Sequence, residues 1–421
     1  MASASLFAVL MRRCLQAVPG SLSCIEQPYG LIYIYRGVSS STAPANDRVG
    51  FAKEDEEPSS LPEAAPDDLR GRIFRIRFPK RSATAVIEKW VAEGRNTTVA
   101  ELRQIAKDLR RSQRYKHALE LTEWMRSHLK AELLDGDHAM RIDLITKVFG
   151  VSSAEEFFEG LPSTVKSCEV YTALLHSYAG AKLVDKAESL FEKMKNSNLS
   201  VSILAYNEMM TLYTSIGQLD KVHVVVDEIK KRKVLPDIYT YNQWVSASAA
   251  TLDIKGVRKI LDEIASDSRS INGLTMYMKL AEIYISVGNF ISWDNSLIET
   301  DKITQREWIT YDFLILLHAC LGNIEKVNEM WKAFHRTSQK MISRNYVCIL
   351  SAYLVTGKSK EADQVISEWK ESKVLDFDIS ACKRLFDAFV KVGLFDEADT
   401  LRELLLKKNC AIPDSFLKLP I

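Results

Sequence analysis

The sequence predicts an all-α protein, a right-handed α-solenoid of about nine helix-turn-helix repeats, and three ladders of residues predict it. Tyr171, Tyr206, Tyr241, Tyr277, Tyr311 and Tyr346 recur at intervals of 35, 35, 36, 34 and 35 residues. Ala187, Val222, Val257, Trp293, Val327, Ala362 and Ala398 run in phase with them. Gly217, Gly288, Gly322, Gly357 and Gly393 each stand five residues before a member of that second series. A fixed period of this length marks one supersecondary unit copied along the chain. A lone helical hairpin cannot bury its own apolar face, so the copies must stack.

Residues 1–38 carry the features of an organellar transit peptide. Leu6, Val9 and Leu10 lead into Arg12 and Arg13, and residues 1–50 hold seven serines and four arginines against two acids, Glu26 and Asp47. A secretory signal would place its positive charge before the apolar stretch, not after it. The amphipathic, arginine-bearing start favours a mitochondrial destination over the chloroplast alternative, with cleavage near residue 38. Residues 39–80 are expected to be a disordered linker, since Glu54 to Asp68 is acidic, contains proline and shows no periodicity.

Residues 81–167 are expected to form degenerate helical repeats. Ala118, with Met125 seven residues on, matches Ala187 with Met194, and Ala154 falls between them. End units of a solenoid are atypical because they cap it. The clear array spans 168–413, followed by a tail over 414–421. Within one unit, LAYNEMMTLYTSIGQLDKVHVVVDEI, Tyr206, Met210 and Tyr213 share a helix face, and Gly217 supplies a left-handed turn. Val222, Val225, Val226 and Ile229 then form the buried stripe of a second helix, and Pro236 closes the unit. Tyr178, Tyr213, Tyr284 and Tyr353, seven residues after ladder tyrosines, fit the stacked core. Around Trp293 the second helix is poorly patterned and the spacing slips by one residue each way, so that unit is expected to be irregular.

At 421 residues, 47% hydrophobic and 26% charged, with a net charge of +1, the chain has material for an ordered core and no bulk charge to draw it to polyanions. No apolar run reaches the length of a membrane span. The seven cysteines contain no C-x-x-C pair, and the seven histidines no H-E-x-x-H. No phosphate loop or dinucleotide fingerprint is present. The sequence therefore implies no catalytic centre, no metal and no cofactor.

Tyr206-Asn207, Pro236-Asp237, the mid-unit glycine and Tyr239-Thr240-Tyr241-Asn242 resemble the pentatricopeptide repeat pattern. The Trp-Leu-Gly-Tyr signature of the tetratricopeptide family is not visible. The stretches RYKHALELTEWMRS, DHAMRIDLITKVFGVSSAEEFFEGLP and TYNQWVSASAA are similar to a plant organellar subfamily of the P class, made only of such repeats. The chain ends soon after its last hairpin, so an editing-type extension with deaminase or nuclease activity is not expected. The resemblance implies single-stranded RNA as partner, one base per unit read by the fifth residue of a repeat together with its last.

On this sequence the resemblance places Asn207 with Asp237, a combination that favours uracil, and Leu204 and Tyr239 as the side chains stacking on that base. Stacking of this kind contributes roughly 1–3 kcal/mol per base. Asn242 with Asn272 implies a pyrimidine, and Thr172 with Ser202 is a weak combination. The fifth positions Met278, Asp312, Val347 and Lys383 depart from the pattern. Of the positions where the family often keeps a phosphate-binding lysine, only Lys391 holds the charge. A basic run, with Arg103, Lys107, Arg110, Arg111, Arg114 and Lys116, offers further phosphate contacts, chiefly Arg110, Arg111 and Arg114, or else is a solvated helix face. Short, pyrimidine-leaning recognition acting in transcript stabilisation, processing or translation is the expectation. The alternative is a protein-interaction scaffold in an organellar complex such as the mitochondrial ribosome.

Overall fold

In the computed structural model the described residues are 67–76, 82–129, 133–197, 199–266, 271, 273–288, 299–335, 341–372 and 376–410. Every regular element among them is helical. The transit peptide, most of the linker and the tail lie outside them, as does Trp293. The chain divides into two compact units between Ala181 and Lys182. This division falls inside the first clear repeat, between its two helices.

The N-terminal unit contains α1 (Leu69–Phe74), α2 (Ala83–Ala92), α3 (Val99–Arg111), α4 (Tyr115–His128), α5 (Asp135–Phe149), α6 (Val151–Glu159) and α7 (Cys168–Gly180). Helix α1 lies within the stretch expected to be disordered linker. It forms because the Asp68 side chain accepts from the Gly71 backbone N–H and because Leu69 and Ile73 are fully buried. The degenerate repeats are thus regular in outline: α3 pairs with α4 and α5 with α6, around Ala118 and Ala154, neither of which has exposed surface. Helix α7 packs on both α5 and α6, which explains why it groups with the N-terminal unit.

The second unit contains α8 (Val184–Asn196), α9 (Ile203–Ser215), α10 (Leu219–Lys231), α11 (Ile238–Ala250), α12 (Ile254–Ser266), α13 (Leu274–Val287) and α14 (Glu299–Cys320). It continues with α15 (Ile324–His335), α16 (Ser343–Val355), α17 (Ser359–Glu371), α18 (Ile379–Lys391) and α19 (Phe395–Lys407). The first helices stack in the row α9, α11, α14, α16, α18, and each is backed by a second helix. Tyr206, Tyr241, Tyr311 and Tyr346 are buried along this row, and Val222, Val257, Val327, Ala362 and Ala398 are fully buried in the second helices.

Two further ladders tie one hairpin to the next. The second-tier tyrosines reach back: Tyr213 donates to Glu188 Oε1 and Tyr353 to Asn328 Oδ1, each at 2.9 Å, and Tyr178 bonds Glu155. Each acceptor stands one residue after a member of the Ala/Val series. On the second helices Lys195 pairs with Glu228 at 3.1 Å, Lys230 with Glu263 at 2.8 Å, and His335 with Glu368. All three pairs span one repeat.

The repeat around Trp293 breaks this order. Helix α14 is 22 residues long and runs through the point where the ladders place a boundary between two repeats. Helix α11 therefore stacks directly on α14, and α13 leaves the row to pack across α14, α16 and α18. Sequence accounts for part of this. By the ladder spacing the acceptor position for Tyr284 would be Arg258, whose guanidinium can only donate, and the Tyr284 hydroxyl goes to Asp312 Oδ2, at 2.7 Å.

Candidate nucleic-acid interface

The fifth-position residues stand one after each ladder tyrosine, on the first helices. Asn207 lies there on α9, and Asp237 is the N-cap of α11. The Asp237 carboxylate accepts from the Thr240 backbone N–H at 2.8 Å, and the Asp237 N–H donates to Thr240 Oγ1 at 3.2 Å, a reciprocal capping box. This fixes the carboxylate 3.1 Å from Asn207 Nδ2 through both of its oxygens. A carboxylate only accepts, so the amide must turn its nitrogen toward Asp237. Thr240 Oγ1 lies 2.8 Å from Asn207 Oδ1 and 2.9 Å from Asp237 Oδ1, and its single proton serves one of them at a time. The amide of half-buried Asn207 keeps one N–H and one lone pair for an outside ligand. Leu204, half-buried, and Tyr239, 42% exposed, occupy equivalent positions on α9 and α11, two residues before their ladder tyrosines. Thr240 was not among the expected residues, although Asp-x-x-Thr ahead of an apolar run signals such a cap.

The other expected readers are placed differently. Asn242 is buried, and its Oδ1 accepts a 3.1 Å hydrogen bond from the Tyr277 hydroxyl on α13. Asn272 lies outside the described residues. Thr172 is buried, with its hydroxyl donating to the Cys168 carbonyl at 2.7 Å, so it offers little to a base. Ser202 is the half-buried N-cap of α9 and makes no side-chain capping bond. Thr172 and Ser202 belong to different compact units.

The expected phosphate contacts are largely committed to carboxylates. Arg110 Nε meets Asp143 Oδ2 at 2.6 Å. Burial alone would raise the Asp143 carboxyl, but the charges of Arg110, Lys147 and His176 hold it below the usual carboxylate range. Arg111 pairs with Asp108 at 3.4 Å, and Arg114 donates to the carbonyls of Ile73 and Phe74. Arg103 of the same run pairs with Asp137 at 2.8 Å. Arg103 and Arg110 thus tie α3 to α5, Arg114 ties the start of α4 to α1, and Arg111 pairs within α3. Lys391 remains well exposed, 3.4 Å from Glu282 on α13.

At the fifth position of α14, Asp312 has no exposed surface. It accepts from Tyr284 and Asn345 and faces Arg344 at 3.4 Å. Burial pushes its carboxyl up to about 6 against the pull of these donors. Among the described residues no cluster of three or more His, Cys, Asp or Glu is arranged to hold a metal ion, and the cysteines are unpaired thiols. No helix among them is long and apolar enough to cross a membrane.

Comparison with known proteins agrees with the repeat geometry. The profile of the pentatricopeptide repeat domain matches residues 189–250, and that of the single PPR repeat matches 169–199, 345–374 and 380–410. A mitochondrial pentatricopeptide repeat-containing protein of Arabidopsis thaliana is 49% identical over 349 residues, 82% of this chain and 85% of the relative. A second Arabidopsis thaliana pentatricopeptide repeat-containing protein is 33% identical over 342 residues, 80% of this chain and 70% of its own. The crystal structure of PPR10 in complex with an 18-nt psaJ RNA element aligns at 12% identity and a TM-score of 0.32, over 83% of this chain and 59% of that one. Period, buried ladders, Asn-Asp pair and relatives matched over most of their length lead to one conclusion: the chain belongs to the pentatricopeptide repeat family.

Proposed function

We propose that this protein is a non-catalytic single-stranded RNA-binding protein of a plant organelle. It reads a short, pyrimidine-bearing site and acts by occupancy, in transcript stabilisation, processing or translation. The observation that carries the reading is the Asn207 amide, held by the Asp237 carboxylate with one donor and one acceptor left over. A uracil edge offers an N–H donor beside a carbonyl acceptor, the complement of that pair. Leu204 and Tyr239 supply surfaces against which the base faces would stack.

The mitochondrion is the proposed compartment. Arg12 and Arg13 behind an apolar start favour it, and so does the name of the 49% identical relative. A fluorescent protein fused behind residues 1–60 should enter mitochondria, and accumulation in chloroplasts instead would overturn the assignment.

A second reading, a protein-interaction scaffold in an organellar complex, is favoured by the pairing of Arg103, Arg110 and Arg111 with carboxylates. Selection from randomised single-stranded RNA separates the two. The chain from residue 67 onward should enrich pyrimidine-containing sequences, and Asn207→Ala should abolish the enrichment. A folded protein that retains no RNA at moderate salt would leave the scaffold reading standing.

A further inference from the structure

Helix α13 carries an inference about how much RNA this protein can read, one that rests on the RNA-binding reading above. Its sequence, LTMYMKLAEIYISV, has a broad apolar face, on which Leu274, Tyr277, Leu280, Ala281, Ile283, Tyr284, Ile285 and Val287 are all buried, and one narrow polar strip of Thr275, Lys279, Glu282 and Ser286. A helix with so broad an apolar face must be covered by protein on most of its sides. What covers α13 is the row of first helices, and it touches that row on the fifth-position residues Asn242 and Asp312. The Tyr277 hydroxyl donates to Asn242 Oδ1 at 3.1 Å, and the Tyr284 hydroxyl to Asp312 Oδ2 at 2.7 Å. Tyr284 also meets the Phe313 ring edge-on at 4.9 Å, and Glu282 engages Lys391 at 3.4 Å. An aromatic ring with a hydroxyl donor on the amide or carboxylate of successive fifth positions does what a base would do there.

We propose that α13 is an internal occupant of the reading face. It takes the place of RNA from Asn242 to α18 and so confines base contact to the pair Asn207 and Asp237 and the stacking side chains beside it. The departures of the fifth positions then have a common cause. Val347 and Asn345 on α16 are buried because they support α13 and Asp312, not a base. Lys391, the one lysine kept at a phosphate-binding position, faces the Glu282 carboxylate of α13.

The test is photocrosslinking of the full chain to oligouridylate containing 4-thiouridine, with the crosslinked peptides mapped by mass spectrometry. Crosslinks are expected on α9 and at the start of α11, around Leu204, Asn207 and Tyr239, and not on the inner positions Val347 and Ser351 of α16 or Phe386 of α18. Crosslinks at Val347, Ser351 or Phe386 together with those on α9 would overturn the occlusion and leave the RNA reading intact. A folded chain with no crosslink anywhere would overturn both.

Discussion

Asp237 does two jobs with one carboxylate, and the two can be separated by substitution. It caps α11 through the Thr240 N–H and it orients the Asn207 amide. Asp237→Ala loses both, so the chain should be less stable by about 1 kcal/mol, the usual worth of an N-cap. Asp237→Asn keeps a competent cap, and its stability to urea should match the parent within about 0.5 kcal/mol. It nevertheless removes the accept-only group that fixes the amide, so discrimination between uridine and purine should fall. Binding of single-substituted oligonucleotides reads the second effect, and equal discrimination by parent and Asp237→Asn would show that the carboxylate does not set it. Tyr213 allows a similar separation of packing from tie. Tyr213→Phe keeps the ring but gives up the 2.9 Å bond to Glu188, a loss of about 1 kcal/mol in thermal or urea unfolding. The Asn207–Asp237 pair was legible in the sequence because both residues keep the family spacing. The burial of Asn242 was not, because its partner Tyr277 looks like any other ladder tyrosine.

Turns between paired helices show what the element itself requires. The residue five before each Ala/Val position adopts a left-handed backbone at Gln113, Lys182, Gly217, Leu252, Gly322, Gly357 and Gly393. The conformation thus recurs even where glycine does not, and the exceptions are Gly288, a right-handed cap at the broken repeat, and Phe149 before Ala154, where the next residue, Gly150, has the positive φ. A Cβ on Gly357 would meet nothing within 4 Å, so the cost of Gly357→Ala is confined to the backbone. It should destabilise by about 1 kcal/mol, the left-handed penalty less the entropy that alanine removes from the unfolded chain. Leu252→Gly reverses those terms and should change stability by less than about 1 kcal/mol; a large loss there would mean the leucine side chain packs the turn. Between second helices, His335 is the titratable rung of the ion-pair ladder. The hydrogen bond to Glu368 raises its imidazole above the ordinary value, outweighing burial, and the Trp331 carbonyl adds to the rise. Its protonated form is the one favoured by folding, so its stabilisation is complete below about pH 6.5 and fades as pH climbs through the raised value. Half-exposed on both sides, the pair is worth about 0.5 kcal/mol. His335→Gln should flatten that part of the melting-temperature profile between pH 6 and 8, and an unchanged slope would remove the pair from the ladder's energetics.

At the scale of the molecule, the periodic part of the fold was legible and its interruption only partly so. Ladders of tyrosine, alanine and glycine report nearest-neighbour stacking, which is the same at each step and therefore repeats in the sequence. The path of α13 depends on α16 and α18 as well as on its chain neighbour α14, and no local period records contacts of that range. The slip in spacing at Trp293 flagged the place but not the rearrangement. Charge was misleading in a similar way: the run from Arg103 to Lys116 looks like an anion-binding stripe until Asp137, Asp143 and Asp108 come into position around it. This has a measurable consequence for RNA affinity. Each phosphate neutralised on a single strand contributes about −0.7 to the slope of log K against log salt. With a net charge of +1, Arg110 and Arg111 on aspartates, Arg114 on carbonyl oxygens and Lys391 near Glu282, few of the expected phosphate-binding cations are left to release counterions. A slope shallower than about −1.4, equivalent to two phosphates, is therefore expected. Arg110→Ala, whose partner Asp143 is buried, should lower stability by about 3–5 kcal/mol while leaving that slope unchanged. A slope that steepens well beyond two phosphates, and relaxes in Arg111→Ala and Lys391→Ala, would mean that these ion pairs open to meet the RNA.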